Sequence, residues 1–348
     1  IMDYERNDDL SQSERPASGL PANPPPPPPP RKRSGWRLFW GILLALSVMA
    51  NIGLFLMLIG VVAFLAVGHG GMLTEEVVRE GPASQKIAVV NVEGIIRGSL
   101  AEEVYTQLKA ARHDTRVKGL IVRVNSPGGT ISASDRIHEE IRKFRQEKGG
   151  PVIAFMQGVA ASGGYYASVA CEKIIAEPTA ITGSIGVITE FFVVQQLLED
   201  KLGVLPVTIT SGQKKDWPSS FRKPSPEELQ YMRDRLMTPA YERFVGIVTE
   251  GRKASLTPDQ VRTLADGGIF GAKQAVQEKL IDGIGYLDDA IDLVKSMAGI
   301  HNARVVEYRR PFSFSDLLSL KKPNMLKLDR ATLYELGRPE IMYLWSAF

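Results

Sequence analysis

The chain has 348 residues, 44% of them hydrophobic, enough for one large domain with appendages or two modest ones. Its formal net charge is only +3 and its basic residues are scattered, which excludes the electrostatic footprint of a nucleic-acid binder. One cysteine, Cys171, excludes an intrachain disulfide framework, reads as a buried thiol and has no CxxC or His-rich neighbourhood for a metal. No metal or cofactor is expected.

Residues 1–35 are a polar, disordered head whose proline run, 24–30, predicts an extended polyproline II rod, a spacer or a ligand for an SH3- or WW-like module. Arg31, Lys32, Arg33 and Arg37 precede residues 38–67, which carry no charge at all. About 20 apolar residues span a bilayer, and Trp36 and Trp40 stand where aromatic rings favour the interface. Residues 36–68 therefore predict a single transmembrane signal anchor in the plasma membrane. The basic cluster places the N-terminus in the cytoplasm and everything after Gly68 outside it. A cleaved signal peptide is the rival reading, but its apolar region would be shorter. Residues 69–85, rich in glycine, serine and charge, read as a tether.

The rest alternates. Residues 86–92 (KIAVVNV), 119–124 (GLIVRV), 152–156 (VIAFM) and 173–176 (KIIA) have the β-branched, apolar character of strands. Residues 100–112 and 131–144 between them have helical spacing, with Leu100, Val104, Leu108 and Ala111 on one face of the first. A helix opens at 163–169. Further on, 191–202 and 226–250 predict helices, 204–210 a strand, and 256–264, 272–280 and 287–297 shorter helices. This order implies βαβ units and an α/β domain with a mainly parallel sheet over residues 86–310. The tail, 311–348, is irregular and is expected to pack on the domain, on a membrane or on a neighbouring subunit. No internal repeat is visible.

Three glycine-rich corners follow or adjoin strands: Asn125-Ser126-Pro127-Gly128-Gly129, Gly158-Val159-Ala160-Ala161-Ser162-Gly163-Gly164 and Thr182-Gly183-Ser184-Ile185-Gly186. In an open α/β sheet such turns, at the carboxyl ends of strands, form the ligand crevice. Ser162 stands at a strand-to-helix turn between small residues, which exposes a hydroxyl beside backbone amides. It could equally be a simple N-cap. The amides of Gly163 and of Gly128 or Gly129 are placed to bind an oxyanion, each such donor being worth roughly 3 kcal/mol. A serine nucleophile needs a base. His69, His113, His138 and His301 are all the histidines, and none adjoins a glycine-rich corner. A lysine serves if neutral, although at an ordinary pKa near 10.4 neutrality at pH 7 costs about 4.6 kcal/mol, which burial offsets. Lys214 and Lys215, directly after the expected strand 204–210, are the candidates, and on local chemistry alone either could be a solvated surface charge.

Together, NSPGG at 125–129, ASGGYY at 161–166, TGSIGV at 182–187 and SGQKKD at 211–216, in that order, resemble the signal peptide peptidase A (SppA) family of Ser–Lys peptidases across roughly residues 86–300. The resemblance implies a Clp protease/crotonase-like fold of repeated ββα/βαβ units. It implies a serine peptidase with Ser162 as nucleophile and Lys215 as base, Lys214 being the backup. Ser184 would orient the lysine, and Gly129 and Gly163 would donate the oxyanion amides. It further implies peptide substrates, namely remnant signal peptides after their release from preproteins, and sites that gather residues from neighbouring protomers. With one motif set, the chain resembles the short, single-copy form and would form a homo-oligomeric ring, an octamer in one reading. The proline-rich head departs from the family's short N-terminus. Two alternatives stay open: a crotonase-like acyl-CoA enzyme, which would lack the membrane span and the serine, and an inactive membrane scaffold of the same fold.

Overall fold

The computed structural model describes residues 35–68, 73–309 and 340–345. The proline run, His69, the start of the expected tether and most of the tail lie outside the described residues. The chain divides into two compact units, residues 1–65 and 66–348. The first carries α1 (Gly35–Gly68), 34 residues long. Among the described residues it is the one helix long and apolar enough to cross a membrane, with a mean hydropathy of 2.6 over its apolar stretch Gly35–Ala63.

The second unit is α/β. In chain order it contains β1 (Thr74–Arg79), β2 (Lys86–Glu93), α2 (Gly98–His113), β3 (Val117–Ser126), β4 (Gly128–Thr130), α3 (Ile131–Lys148), β5 (Val152–Ala161), α4 (Gly163–Ser168), β6 (Lys173–Ala176), β7 (Ile181–Gly183) and β8 (Ile188–Glu190). There follow α5 (Pro226–Met232), α6 (Thr238–Gly251), α7 (Pro258–Leu264), β9 (Ile269–Gly271), α8 (Ala272–Gln277), β10 (Gly283–Ile284), α9 (Leu287–Ala298), β11 (Arg304–Arg309) and β12 (Glu340–Leu344). The main sheet runs β1-β11-β2-β3-β5-β6-β10, with β7 on β5 and β9 on β7. Only the β1–β11 and β7–β9 pairs are antiparallel. A second, antiparallel sheet is β4-β12-β8.

The central strands are buried on both faces, which is why they read as unbroken apolar runs rather than alternating ones. Ala88, Val90 and Val92 of β2 face the cluster built with α2 and α3 through Val104, Leu108, Ile137, Ile141 and Phe144. Ile87 and Val89 face the other cluster, closed by Ile291 and Val294 of α9.

The structure departs from expectation in four places. Residues 74–79, within the expected tether, form β1 against β11. Their acidic side chains are matched across the sheet, Glu75 by the buried Lys86 at 2.6 Å and Glu76 by Arg309 at 2.8 Å. Residues 204–210 form no strand: Pro206 lacks a donor, and none of the strands among the described residues pairs with them. The expected 191–202 helix shrinks to a short stretch ending in a π turn at Leu197–Lys201. The expected 226–250 helix is interrupted by a π turn at Arg233–Met237, just before Pro239, which cannot donate to the ladder.

Candidate active site

Three neighbouring strands deliver the three glycine-rich corners to one edge of the sheet. Ser126 at the end of β3 is in register with Ala160 on β5, and Ala161 is in register with Gly183 on β7. Ser162 follows β5 directly. Its backbone N–H donates to Gly183 O at 2.8 Å, so the serine is pinned to the third corner before α4 begins. Thr182 Oγ1 donates to Ala160 O at 2.7 Å and makes the same join from below.

Ser162 and Ser184 both sit at positive φ, 52° and 50°. Side-chain-bearing residues avoid this region, and such strain gathers at working sites. As an N-cap Ser162 makes no side-chain bond, so the plain capping role does not explain it. It is almost completely buried, and Ser184 nearly so. The amide of Ser184 donates to Gly268 O at 2.7 Å, which fixes the third corner to the turn before β9.

The first corner is held differently. Ser126 Oγ donates to Gly94 O at 2.6 Å and accepts from the Gly128 amide at 3.0 Å. The Gly128 amide is thus occupied. The Gly129 amide is not used on the Ile96 side: Ile96 N donates to Gly128 O and Ile96 O accepts from Thr130 N, both at 2.8 Å. Alternation along β4 then turns Gly129's own amide to the opposite side. There its register partner is Tyr343 of β12.

Glycine is required at this corner because three backbones converge. A Cβ on Gly128, at φ 102°, would run into the Tyr343 carbonyl. A Cβ on Gly163 would lie 2.5 Å from Ser134 Oγ and 3.1 Å from both Gly128 Cα and Tyr343 O. The carbonyl of Tyr343 therefore lies close to both Gly128 and Gly163. β12, from the tail that sequence left irregular, lies antiparallel between β4 and β8 like an added peptide strand.

The Tyr343 side chain is fully buried. It stacks on Tyr166 (centroids 5.0 Å apart), leans on Phe244 (4.7 Å) and donates from its hydroxyl to Ala240 O at 2.7 Å. This aromatic pocket was not foreseen. Its parts come from α4, α6 and a strand far away in sequence, and only Tyr166 stood inside a recognised motif. Beyond Tyr343, Leu344 and Trp345 border a cavity of about 400 Å³ shared with Ser184, Ile185 and Gly186.

The two lysines sit elsewhere, in the turn after residue 210. Both are exposed. The Lys214 ammonium lies over the rings of Trp217 (5.1 Å) and Tyr231 (4.4 Å), a cation–π contact that engages it. Lys215 makes no ion pair or side-chain hydrogen bond among the described residues; its amide donates to Gly212 O at 3.0 Å. The single chain does not bring Lys215 to Ser162 or Ser184 by a hydrogen bond. Of the other candidates, His138 is buried edge-on to Tyr166, 5.4 Å between centroids, and burial lowers it to about 4. Burial pushes the Cys171 thiol up, which keeps it protonated and inert.

A mainly parallel α/β sheet, with a strained serine at a glycine-lined crevice, defines a domain of the Clp protease class, and the Clp protease family model matches residues 83–181. The model of peptidase family S49 matches residues 144–301. An Enterococcus faecium relative described as a signal peptide peptidase SppA is 40% identical over 248 residues, covering 68% of this chain and 71% of that protein. The chain belongs to the SppA family of S49 serine peptidases. A chloroplastic serine protease SPPA of Arabidopsis thaliana is 35% identical over 66% of this chain, and Protease 4 of Haemophilus influenzae 37% over 61%. The chain spans about a third of the length of those two, 34% and 35%.

Proposed function

We propose that the protein is a membrane-anchored endopeptidase in which Ser162 is the nucleophile and Lys215, supplied by a neighbouring copy, is the general base. The observation that carries this reading is β12. An extended chain segment lies antiparallel along β4, with Tyr343 in register with Gly129 and its main-chain carbonyl close to Gly128 and Gly163. In the proposed reading a scissile peptide lies in the same way. The pairing is through backbone, so the groove takes an extended peptide rather than an acyl-CoA.

In the proposed cycle Ser162 Oγ attacks the carbonyl carbon while its proton passes to neutral Lys215 Nζ. The carbonyl oxygen becomes the oxyanion and is held by the amides of Gly129 and Gly163. The protonated lysine gives its proton to the leaving amine as the C–N bond breaks. A water, deprotonated by Lys215, then cleaves the acyl–serine ester and the proton returns to Ser162 Oγ. Gly128 contributes shape rather than a donor, since Ser126 Oγ holds its amide. Ser184 orients the lysine. Lys215 acting from another copy accounts for its exposure here, and burial of that exposed ammonium in the assembled site supplies the desolvation a lysine base needs.

The α1 helix anchors the enzyme with the N-terminus cytoplasmic and the catalytic unit outside. Remnant signal peptides are the proposed substrates, released into the same membrane. The aromatic lining by Tyr166 and Phe244 implies that the subsite holding Tyr343 accepts large side chains.

The test is complementation in detergent. Ser162→Ala and Lys215→Ala should each lose activity on a fluorogenic signal-peptide substrate by roughly 10⁴-fold or more. Dissociated, mixed and reassembled, they should regain a fraction of it, because some interfaces then join an intact serine to an intact lysine. Labelling of Ser162→Ala by a fluorophosphonate probe would sink the nucleophile. Inactive mixtures would place Lys215 in its own chain, and an inactive Lys214→Ala beside an active Lys215→Ala would move the base one position.

A further inference from the structure

We propose that Arg222 is a positioning residue for the reaction, fixing the turn that presents Lys215 by bridging Asp216 to the buried carboxylate of Glu228. The inference rests on the reading of Lys215 as the base. Among the described residues Lys215 has no side-chain partner of its own, yet both of its neighbours are tied down. Lys214 is held over Trp217 and Tyr231. Asp216 accepts from Arg222 Nε at 3.1 Å.

The other end of this chain of charges is the rigid one. Arg222 Nη1 donates to Glu228 Oε2 at 2.6 Å. Glu228 is completely buried at the start of α5, where it forms a capping box with Ser225: its amide donates to Ser225 Oγ at 3.2 Å and the Ser225 amide returns a bond to Oε2 at 3.4 Å. Its second oxygen, Oε1, has no partner among the described residues. Losing Arg222 would leave a buried carboxylate uncompensated, which is strongly unfavourable, so the guanidinium is not free to swing away. The planar fork suits this task, since it reaches two carboxylates at once while a lysine offers a single point. The turn 211–216 is otherwise exposed and holds no strand; besides its backbone bonds, Lys215 N to Gly212 O at 3.0 Å and Trp217 N to Lys214 O at 3.4 Å, these two side-chain contacts on either side of Lys215 limit its wandering.

The bridge also acts on charge. A carboxylate beside a lysine base favours the ammonium form and opposes catalysis. Pairing Asp216 with Arg222 offsets that field.

The experiment compares Arg222→Met, Arg222→Lys and Glu228→Gln in the full-length enzyme in detergent, with assembly mass checked for each. Expected for Arg222→Met is a fall in kcat of roughly 10²-fold, the cost of a misplaced catalytic group, with KM within about twofold and mass unchanged. Glu228→Gln keeps the capping geometry and should lose less, and Arg222→Lys should stay near Arg222→Met. Millimolar guanidinium ion should restore part of the activity of Arg222→Met and none of that of Lys215→Ala. Adding Asp216→Asn to Arg222→Met should recover part of kcat, which a purely structural role would not give. A kcat within twofold of the parent in Arg222→Met, with Lys215→Ala inactive, would overturn the positioning role and leave the base standing. Full activity in Lys215→Ala would overturn both.

Discussion

Residues 86–186 and residues 188–237 use the same branched aliphatic and aromatic side chains to opposite ends. In the first stretch Ile87, Val90, Ile121 and Ile153 are wholly buried, and the glycine corners pack backbone on backbone. In the second, Ile209 is 93% exposed, Val207 76%, Leu205 73% and Phe192 67%. Monomers do not hold out such a run without cause. The contrast divides the candidate site. Ser162, at positive φ, and the glycine corners around it are packed within one chain. Lys215 is carried on a segment whose apolar side chains find no cover among the described residues, which suits the proposal that a second copy completes the site.

The largest effect should come from the serine half. Gly163→Ala puts a methyl 2.5 Å from Ser134 Oγ, itself bonded to Thr130 O at 3.0 Å, and 3.1 Å from Gly128 Cα. Neither neighbour can give way without moving Gly128 or breaking the Ser134–Thr130 bond, and in the proposed mechanism that displaces an oxyanion amide. Activity should fall by roughly 10²–10³-fold, the worth of one such donor. Stability should fall by about 1–3 kcal/mol from overpacking. Steady-state kinetics and thermal unfolding read both, and an active Gly163→Ala would remove the amide from the mechanism.

The exposed segment should respond the other way. The double substitution Val207→Glu and Ile209→Glu should leave the unfolding free energy within about 0.5 kcal/mol, as exposed positions do. It should reduce the assembly mass measured by light scattering, with activity falling roughly 10–100-fold in step. Ile153→Ala, the same chemistry in the core, should instead cost about 2–5 kcal/mol. Equal stability losses at both places would erase the distinction between the two regions.

The same division explains what could be read from sequence. β2, β3, β5 and β6 were legible because strands buried on both faces leave contiguous apolar runs, and α2 and α3 because their apolar faces recur at helical spacing. Ser162 was legible as a strand-to-helix corner flanked by glycine. The short strands β4, β7, β8 and β9 have three residues each, too few to show a period. β12 was hidden for another reason: its partners, β4 and β8, lie far back in the chain, and nothing local fixes such pairing. Residues 204–210 misled in reverse, since β-branched residues mark a preference that only a partner strand can realise. Lys214 and Lys215 could not be separated by local chemistry, because what distinguishes them is the pair of rings contributed by Trp217 and Tyr231.

A smaller effect tests whether β12 is part of the fold or an occupant of the groove. Removing residues 340–348 should raise kcat/KM on peptide substrates by roughly tenfold, since a tethered segment competes at an effective concentration in the millimolar range. Loss of activity with loss of the folded state would instead make β12 a structural strand of the serine half.

The last effect leaves activity aside and is a titration at His138, beside Tyr166. His138 lies against Tyr166, and burial lowers its pKa from 6.5 to about 4; the nearby Asp135 and Glu139 oppose the shift, while Arg243 and Arg142 reinforce it. Between pH 6.5 and 4 the unfolded chain binds a proton there that the native state refuses, so stability rises with pH across this window and is lost as the solution is acidified. At pH 5 the deficit is about 2 kcal/mol relative to neutral pH, or roughly 4–8 °C in Tm for a unit of this size. The carboxylates paired with arginine and lysine, Asp114 and Asp282 among them, are held below their ordinary range and lose their contribution only at lower pH. His138→Phe keeps a ring against Tyr166 without the titration. It should flatten Tm between pH 7 and 5, and a parent-like slope in that variant would assign the acid sensitivity to another group.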